Sequence, residues 1–366
     1  PNNPNLRACP PFKSGDGESP LSSSILIFQE LERRGYKLNG VGEITYHLGG
    51  DFFRDWSSQT YVKRIIEQSQ AIFGCLPKEY TSPIEKGDHP ELDLSEALPI
   101  EGIRQYQSLI GAFQWAISLG RYDIHCVTMT MGKFRAAPRK GHLDRLQRIC
   151  GYLRKYQKGA IRFRTGIPDY SHLEHVNHDW AYSVYGKSKE ELPNNMPTPR
   201  GKPVRTTTFE DANLMHDLVT GRSCTGILHI VNQTPIDWFS KAQRTVETAT
   251  YGSEFVAARI ATEQIMDLRY TIRMLGTPLD GKAYMFGDNQ SVITSGTIPH
   301  SSLNKRHNAL AYHRVREAIA ADIIWFFHIN GIDNPADVLT KFLGHNVFWP
   351  LIKPWLFWRG EPKKAI

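Results

Sequence analysis

An α/β fold is predicted: a mixed five-stranded sheet with flanking helices in the C-terminal half, preceded by a mostly helical region. Three observations predict it. Strand-like apolar runs at 204–211, 224–232 and 236–240 are joined by short turns, as in an antiparallel meander. Beyond them the pattern alternates: helix 250–275, strand 283–288, helix 307–320, strand 323–329, helix 335–341. Strands alternating with helices add parallel members to such a sheet and cover its faces. The middle third carries helical periodicity at 61–73, 101–119 and 140–156.

Taken in order, 1–24 is rich in Pro, Asn, Ser and Gly and reads as a flexible leader without the apolar core of a signal peptide. A helix is expected at 25–35 and a hairpin-like strand element at 42–53. The helix at 61–73 ends before Pro77. The stretch 186–203 holds Pro193, Pro197, Pro199 and Pro203 and reads as a linker or long surface loop. Expected divisions are therefore 1–40, 41–185, the linker 186–203, a sheet domain at 204–345 and a C-terminal tail at 346–366.

With 366 residues, 40% hydrophobic and 22% charged, the chain has a globular rather than a disordered or collagenous composition. Lys plus Arg outnumber Asp plus Glu by 44 to 37, a net +7 that suits a polyanionic partner. Five cysteines, none in a C-x-x-C pair, give neither a disulfide framework nor a cysteine zinc site and fit a reducing compartment. No apolar run approaches the roughly 18 to 20 residues of a membrane span, so no membrane partner is expected.

Four acids stand where chemistry is expected. Asp211 ends the first strand of the sheet domain, Glu254 lies in the first turns of the long helix, Asp288 ends the fourth strand, and Asp337 opens the last helix. Singly, each has a bland reading as a cap, a turn former or a solvated side chain. Together, carboxylates converging from separate elements are what a site for two Mg²⁺, or Mn²⁺, requires, because hard divalent cations take oxygen ligands. Asp211 and Asp288 are expected on neighbouring strands, with carboxylates no farther apart than roughly 8 Å if two ions about 4 Å apart are to bridge them.

The same stretch resembles the ribonuclease H domain of copia-type LTR retrotransposon Pol polyproteins. The resemblance rests on Asp211-Ala212-Asn213, Ser223-Cys224-Thr225-Gly226, Ser240-Lys241-Ala242-Gln243, Gly252-Ser253-Glu254-Phe255, Gly287-Asp288-Asn289-Gln290, Lys305-Arg306-His307 and Ala336-Asp337-Val338-Leu339-Thr340-Lys341. Upstream, Tyr46-His47-Leu48-Gly49-Gly50, Tyr106-Gln107-Ser108-Leu109-Ile110-Gly111 and Arg121-Tyr122-Asp123-Ile124 resemble segments following the polymerase site, including the thumb and connection of the reverse transcriptase. Two departures stand out: Asn213 replaces the family's second Asp, and Gly252 replaces the first Glu of the third motif, so Glu254 carries that role.

The resemblance implies a ribonuclease H-like fold at 204–345 and a reverse transcriptase palm-end, thumb and connection at 41–185. It implies hydrolysis of the RNA strand of RNA·DNA hybrids, with Asp211, Glu254, Asp288 and Asp337 holding the metals. Lys241, Asn289, Lys305, Arg306 and His307 are the expected nucleic-acid contacts. The remainder of the Pol polyprotein is an expected partner, and a cytoplasmic virus-like particle or the nucleus the expected location. The family's Tyr-Val-Asp-Asp polymerase carboxylates have no counterpart in 1–39, which holds no adjacent Asp pair, so primer extension is not expected. The alternatives are a non-catalytic nucleic-acid-binding relic and a piece of a longer active reverse transcriptase. His172, His175 and His178 read as a solvated loop rather than a metal site, Arg314 and Arg316 as a charged face, and Trp349, Trp355, Phe357 and Trp358 as packing of the tail.

Overall fold

The computed structural model describes residues 46–47, 50–51, 59–303 and 305–359. The expected leader and the helix at 25–35 lie outside them. β1 (Tyr46–His47) and β2 (Gly50–Asp51) pair antiparallel, Tyr46 opposite Asp51, as the expected hairpin. They belong to a unit of their own, Pro1–Arg54. Everything described below lies in the second unit, Asp55–Ile366.

The helical region follows its periodicity. α1 (Gln59–Phe73) buries Val62, Ile65, Ile66 and Ser69, and α2 (Ile100–Ser118) buries Tyr106, Leu109, Ile110, Phe113 and Ile117, spacings that keep one face inward. The short α3 (His125–Gly132) follows a 3-10 turn at Tyr122–Ile124. α4 (Lys140–Lys155) buries Leu146, Ile149 and Leu153, and Arg154 and Lys155 close it where cations favour a helix C-terminus.

Five strands form the second layer: β3 (Thr206–Asn213), β4 (Cys224–Val231), β5 (Thr234–Ala242), β6 (Ala283–Gly287) and β7 (Ile324–His328). The order is β5-β4-β3-β6-β7, with β3, β4 and β5 antiparallel and β6 and β7 added in parallel. This is the mixed five-stranded sheet with flanking helices that the sequence predicts. β4 is buried along Cys224–Ile230 because both its faces are covered. Ile227 joins the core of α5 (Thr250–Met274) and α7 (Ala309–Ala320), while Leu228 and Ile230 join the core of α1, α2 and α4. The helical region and the sheet thus share one interior.

Three local expectations give way to tertiary structure. The helix expected at 335–341 is a 3-10 turn, Pro335–Leu339, because Leu339 turns its carbonyl to the Ser240 hydroxyl at 2.6 Å instead of continuing a helical ladder. α6 (Gln290–Thr297) is an additional helix, started by the Asn289 side chain accepting from the backbone N–H of Ser291 and Val292. α8 (His345–Leu356) forms in the expected tail despite Pro350 and Pro354, and buries Phe348, Trp349, Ile352 and Leu356 in the first core. Trp349 and Phe357 pack on Tyr156, so this aromatic run serves packing.

Within 186–203, Glu190 receives two hydrogen bonds from Arg269 and two from Arg273, one turn apart on α5, at 2.6 to 2.8 Å. Burial pushes the Glu190 carboxyl up, but these paired donors hold it at about 2. Glu190→Gln leaves two largely buried guanidinium groups without their shared anion and is expected to cost about 2 kcal/mol. Urea melts at pH 7 measure it, and an unchanged midpoint would show the clamp to be dispensable.

Candidate active site

Asp211 lies near the end of β3, opposite Gly226 of β4. β6 runs parallel beside β3 with Phe209 level with Phe286, so Asp288, the residue after β6, lies two residues beyond Phe286 just as Asp211 lies two beyond Phe209. Glu254 reaches them from the second turn of α5, which packs on β3. One carboxylate oxygen from each of Asp211, Glu254 and Asp288 lies within 4.8 Å of the others. The separation stays within the roughly 8 Å bound for ions about 4 Å apart.

Asp211 and Glu254 are buried, and Asp288 is half-buried. Burial, and then the charge of Asp211, push the Glu254 carboxyl well above the carboxylate range. The same two causes raise Asp288. Unlike charge would relieve this crowding, and three hard oxygen donors are the set that Mg²⁺ or Mn²⁺ takes. Glu210, the buried neighbour of Asp211, is also raised well above its ordinary value, by burial and then by Asp211 and Asp288.

The fourth expected acid, Asp337, is differently engaged. Lys341 Nζ donates to Asp337 Oδ1 at 2.7 Å and to Asp211 Oδ1 at 3.0 Å, while Thr340 Oγ1 donates to Asp211 Oδ2. This approach depends on Gly226: a Cβ there would stand 2.6 Å from Thr340 Cγ2 and 2.8 Å from Leu339 Cβ, lifting the turn off the sheet. Asn334 pins the other end, its Nδ2 donating to the Glu210 carbonyl and its Oδ1 accepting from Ala336 N–H. Asn213, where the family pattern has an acid, donates to the Thr340 carbonyl at 3.2 Å and so holds the same turn. Thr340 and Lys341 stand in the quoted motif, yet the signal for Lys341 was its four-residue spacing from Asp337.

Asp337 is pushed up to about 7, by burial and then by Asp211, with Lys341 opposing. A carboxyl whose folded value exceeds its unfolded one, near 4, supports the fold below pH 4, and that support is lost as pH rises to about 7. In chelator, Asp337→Asn should therefore gain stability relative to the parent between pH 5 and pH 8. Urea midpoints for both proteins at the two pH values check the sign, and a constant gap would contradict it.

In front of the carboxylates lies an open depression of about 560 Å³, lined by Asn213, Thr250, Glu254, Asp288, Asn289 and Lys341 among others. Asn289 faces it, but its side-chain oxygen caps α6. Lys305 donates to Thr248 Oγ1 and His307 pairs with buried Glu247 at 3.1 Å, which seats both on the loop leading into α5. Arg306 and Lys241 are exposed, Lys241 on β5. Arg316 is not part of a charged face: it is buried, donates to the carbonyls of Ser295, Ile298 and Pro299, and lies over Trp180. His172 and His178 are exposed, and His175 lies edge-on against Trp325 and Phe327.

No family model matches the chain. It is 25% identical over 244 residues to the retrovirus-related Pol polyprotein from transposon TNT 1-94 of Nicotiana tabacum, covering 66% of this chain and 16% of that polyprotein. It is 21% identical over 313 residues to the corresponding polyprotein from transposon RE1 of Arabidopsis thaliana, covering 84% of this chain and 18% of that one. Among solved structures it is similar to RNase H1 from Halobacterium salinarum, at 17% identity and a TM-score of 0.29, over 37% of this chain and 94% of that one. The chain therefore spans about a sixth of the length of these curated relatives. The chain is thus similar to part of the retrovirus-related Pol polyproteins of plant transposons, and its C-terminal half holds a mixed five-stranded sheet with flanking helices.

Proposed function

We propose that this chain is the ribonuclease H part of a retrotransposon Pol polyprotein and hydrolyses the RNA strand of RNA·DNA hybrids in a metal-dependent reaction. The observation that carries the reading is the meeting of Asp211, Glu254 and Asp288 on adjoining elements of a ribonuclease H-like sheet. Bound divalent ions, two Mg²⁺ or Mn²⁺, would supply a water of lowered pKa and charge to stabilise the leaving oxygen. Asp211, Glu254 and Asp288 would hold them, with Asp337 beside Asp211. Thr340 and Lys341 fix the orientation of Asp211 by engaging both its oxygens. Asn289 on the rim of the depression, with Lys305, Arg306, His307 and Lys241 outside it, would meet the hybrid's phosphates and 2′-hydroxyls, the contacts that distinguish a hybrid from duplex DNA.

The test is a labelled RNA·DNA hybrid incubated with the purified chain. The expected result is RNA cleavage to fragments with 5′-phosphate and 3′-hydroxyl ends in Mg²⁺, an intact DNA strand, and no cleavage in chelator. Binding of the hybrid with no cleavage in either Mg²⁺ or Mn²⁺ would refute the catalytic reading and leave a non-catalytic binding module.

A further inference from the structure

The ion pairs in the site divide it into two unequal halves. Glu254 and Asp288 open onto the depression, and Asp211, fully buried, lies within reach of both. Between Asp211 and Asp337, however, the space is taken by an ammonium group that donates to one oxygen of each. Lys341 is placed there by a turn that cannot easily shift: Asn334 ties it to β3, Leu339 accepts from Ser240, and Thr340 bonds Asp211. Burial works against a charged lysine, yet Asp211 and Asp337 hold its pKa above the ordinary value. Its side chain, 31% exposed, also lines the depression, so the flexible stem has room to leave.

A divalent ion shared by Asp211 and Asp337 would lie about 2.1 Å from their oxygens, between the same two carboxylates that now hold the ammonium. Ammonium and ion cannot both occupy that space. We infer that Lys341 is a resident cation, holding the place of a second divalent ion, so that the site takes one ion readily and a second only by exchange against the lysine. This rests on the reading of Asp211, Glu254 and Asp288 as an ion site. It makes Lys341 a positioning residue that sets ion stoichiometry.

The experiment is calorimetric titration of the full chain with Mn²⁺, comparing the parent with Lys341→Gln and Lys341→Arg, each with its fold verified by circular dichroism. The parent should bind one ion, with the second absent or at least tenfold weaker. Lys341→Gln removes a unit charge within about 3 Å of both carboxylates and should tighten the second ion by about tenfold or more. Lys341→Arg keeps the charge and should behave as the parent. Two equivalent ions in the parent, or a second ion unchanged in Lys341→Gln, would overturn the inference while the ion site itself stood. Should Lys341→Gln fail to fold, the count in the parent and Lys341→Arg still decides: two equal ions there overturn the inference. If no protein binds Mn²⁺, the reading of the carboxylates as an ion site falls, and this inference with it.

Discussion

Asp288→Asn is expected to reduce Mg²⁺-dependent hybrid cleavage by about a thousandfold, while making the metal-free protein slightly more stable. The two effects have one cause. Asp288 is half-buried, and burial together with the charge of Asp211 raises its pKa, so the folded protein bears an electrostatic cost for ionising it. An amide of the same shape removes that cost but is a weaker ion donor and carries no charge to offset the ion. Loss of several kcal/mol of transition-state stabilisation corresponds to about three orders of magnitude in rate. Gel analysis of RNA fragments and thermal melts in chelator measure the two arms. Cleavage at the parent's rate would remove Asp288 from the site, and a lower melting temperature in chelator would show that its packing outweighs the repulsion.

Asp123→Ala should be the most damaging single change to stability, at about 3 to 5 kcal/mol. Arg121 is completely buried, and its Nε and Nη2 donate to the two oxygens of Asp123 at 3.0 and 2.7 Å. Tyr152 donates its hydroxyl to the same carboxylate at 2.7 Å. The guanidinium also lies between the rings of Tyr152 and Phe357, which attract a cation but cannot replace an anion. Removing Asp123 therefore leaves an uncompensated charge in the core, the costly way to break a buried pair. Replacing Arg121 and Asp123 together by Leu and Ala should cost less than Asp123→Ala alone. Urea unfolding of the three proteins tests this, and a loss below about 1 kcal/mol for Asp123→Ala would show that solvent reaches Arg121.

The amino-acid sequence by itself determined the order of the elements and the short list of acids. Apolar spacing along α1, α2 and α4 specifies which face is buried, and element ends together with the resemblance singled out Asp211, Glu254, Asp288 and Asp337. The meeting of two of these follows once β3 and β6 are taken as parallel neighbours, because equal steps beyond level residues bring Asp211 and Asp288 together. Tertiary structure alone decided what surrounds them. That Lys341 bridges Asp211 and Asp337 depends on a turn lying against Gly226, more than a hundred residues earlier, where any Cβ would hold it away. That Arg316 is buried rather than solvated depends on Trp180 and the carbonyls at 295–299. That α8 survives two prolines depends on a core able to bury Phe348 and Ile352. Periodicity reports which side of an element is apolar, but which charges end up adjacent is set by close approaches between distant segments, and these depend on packing rather than on local propensity.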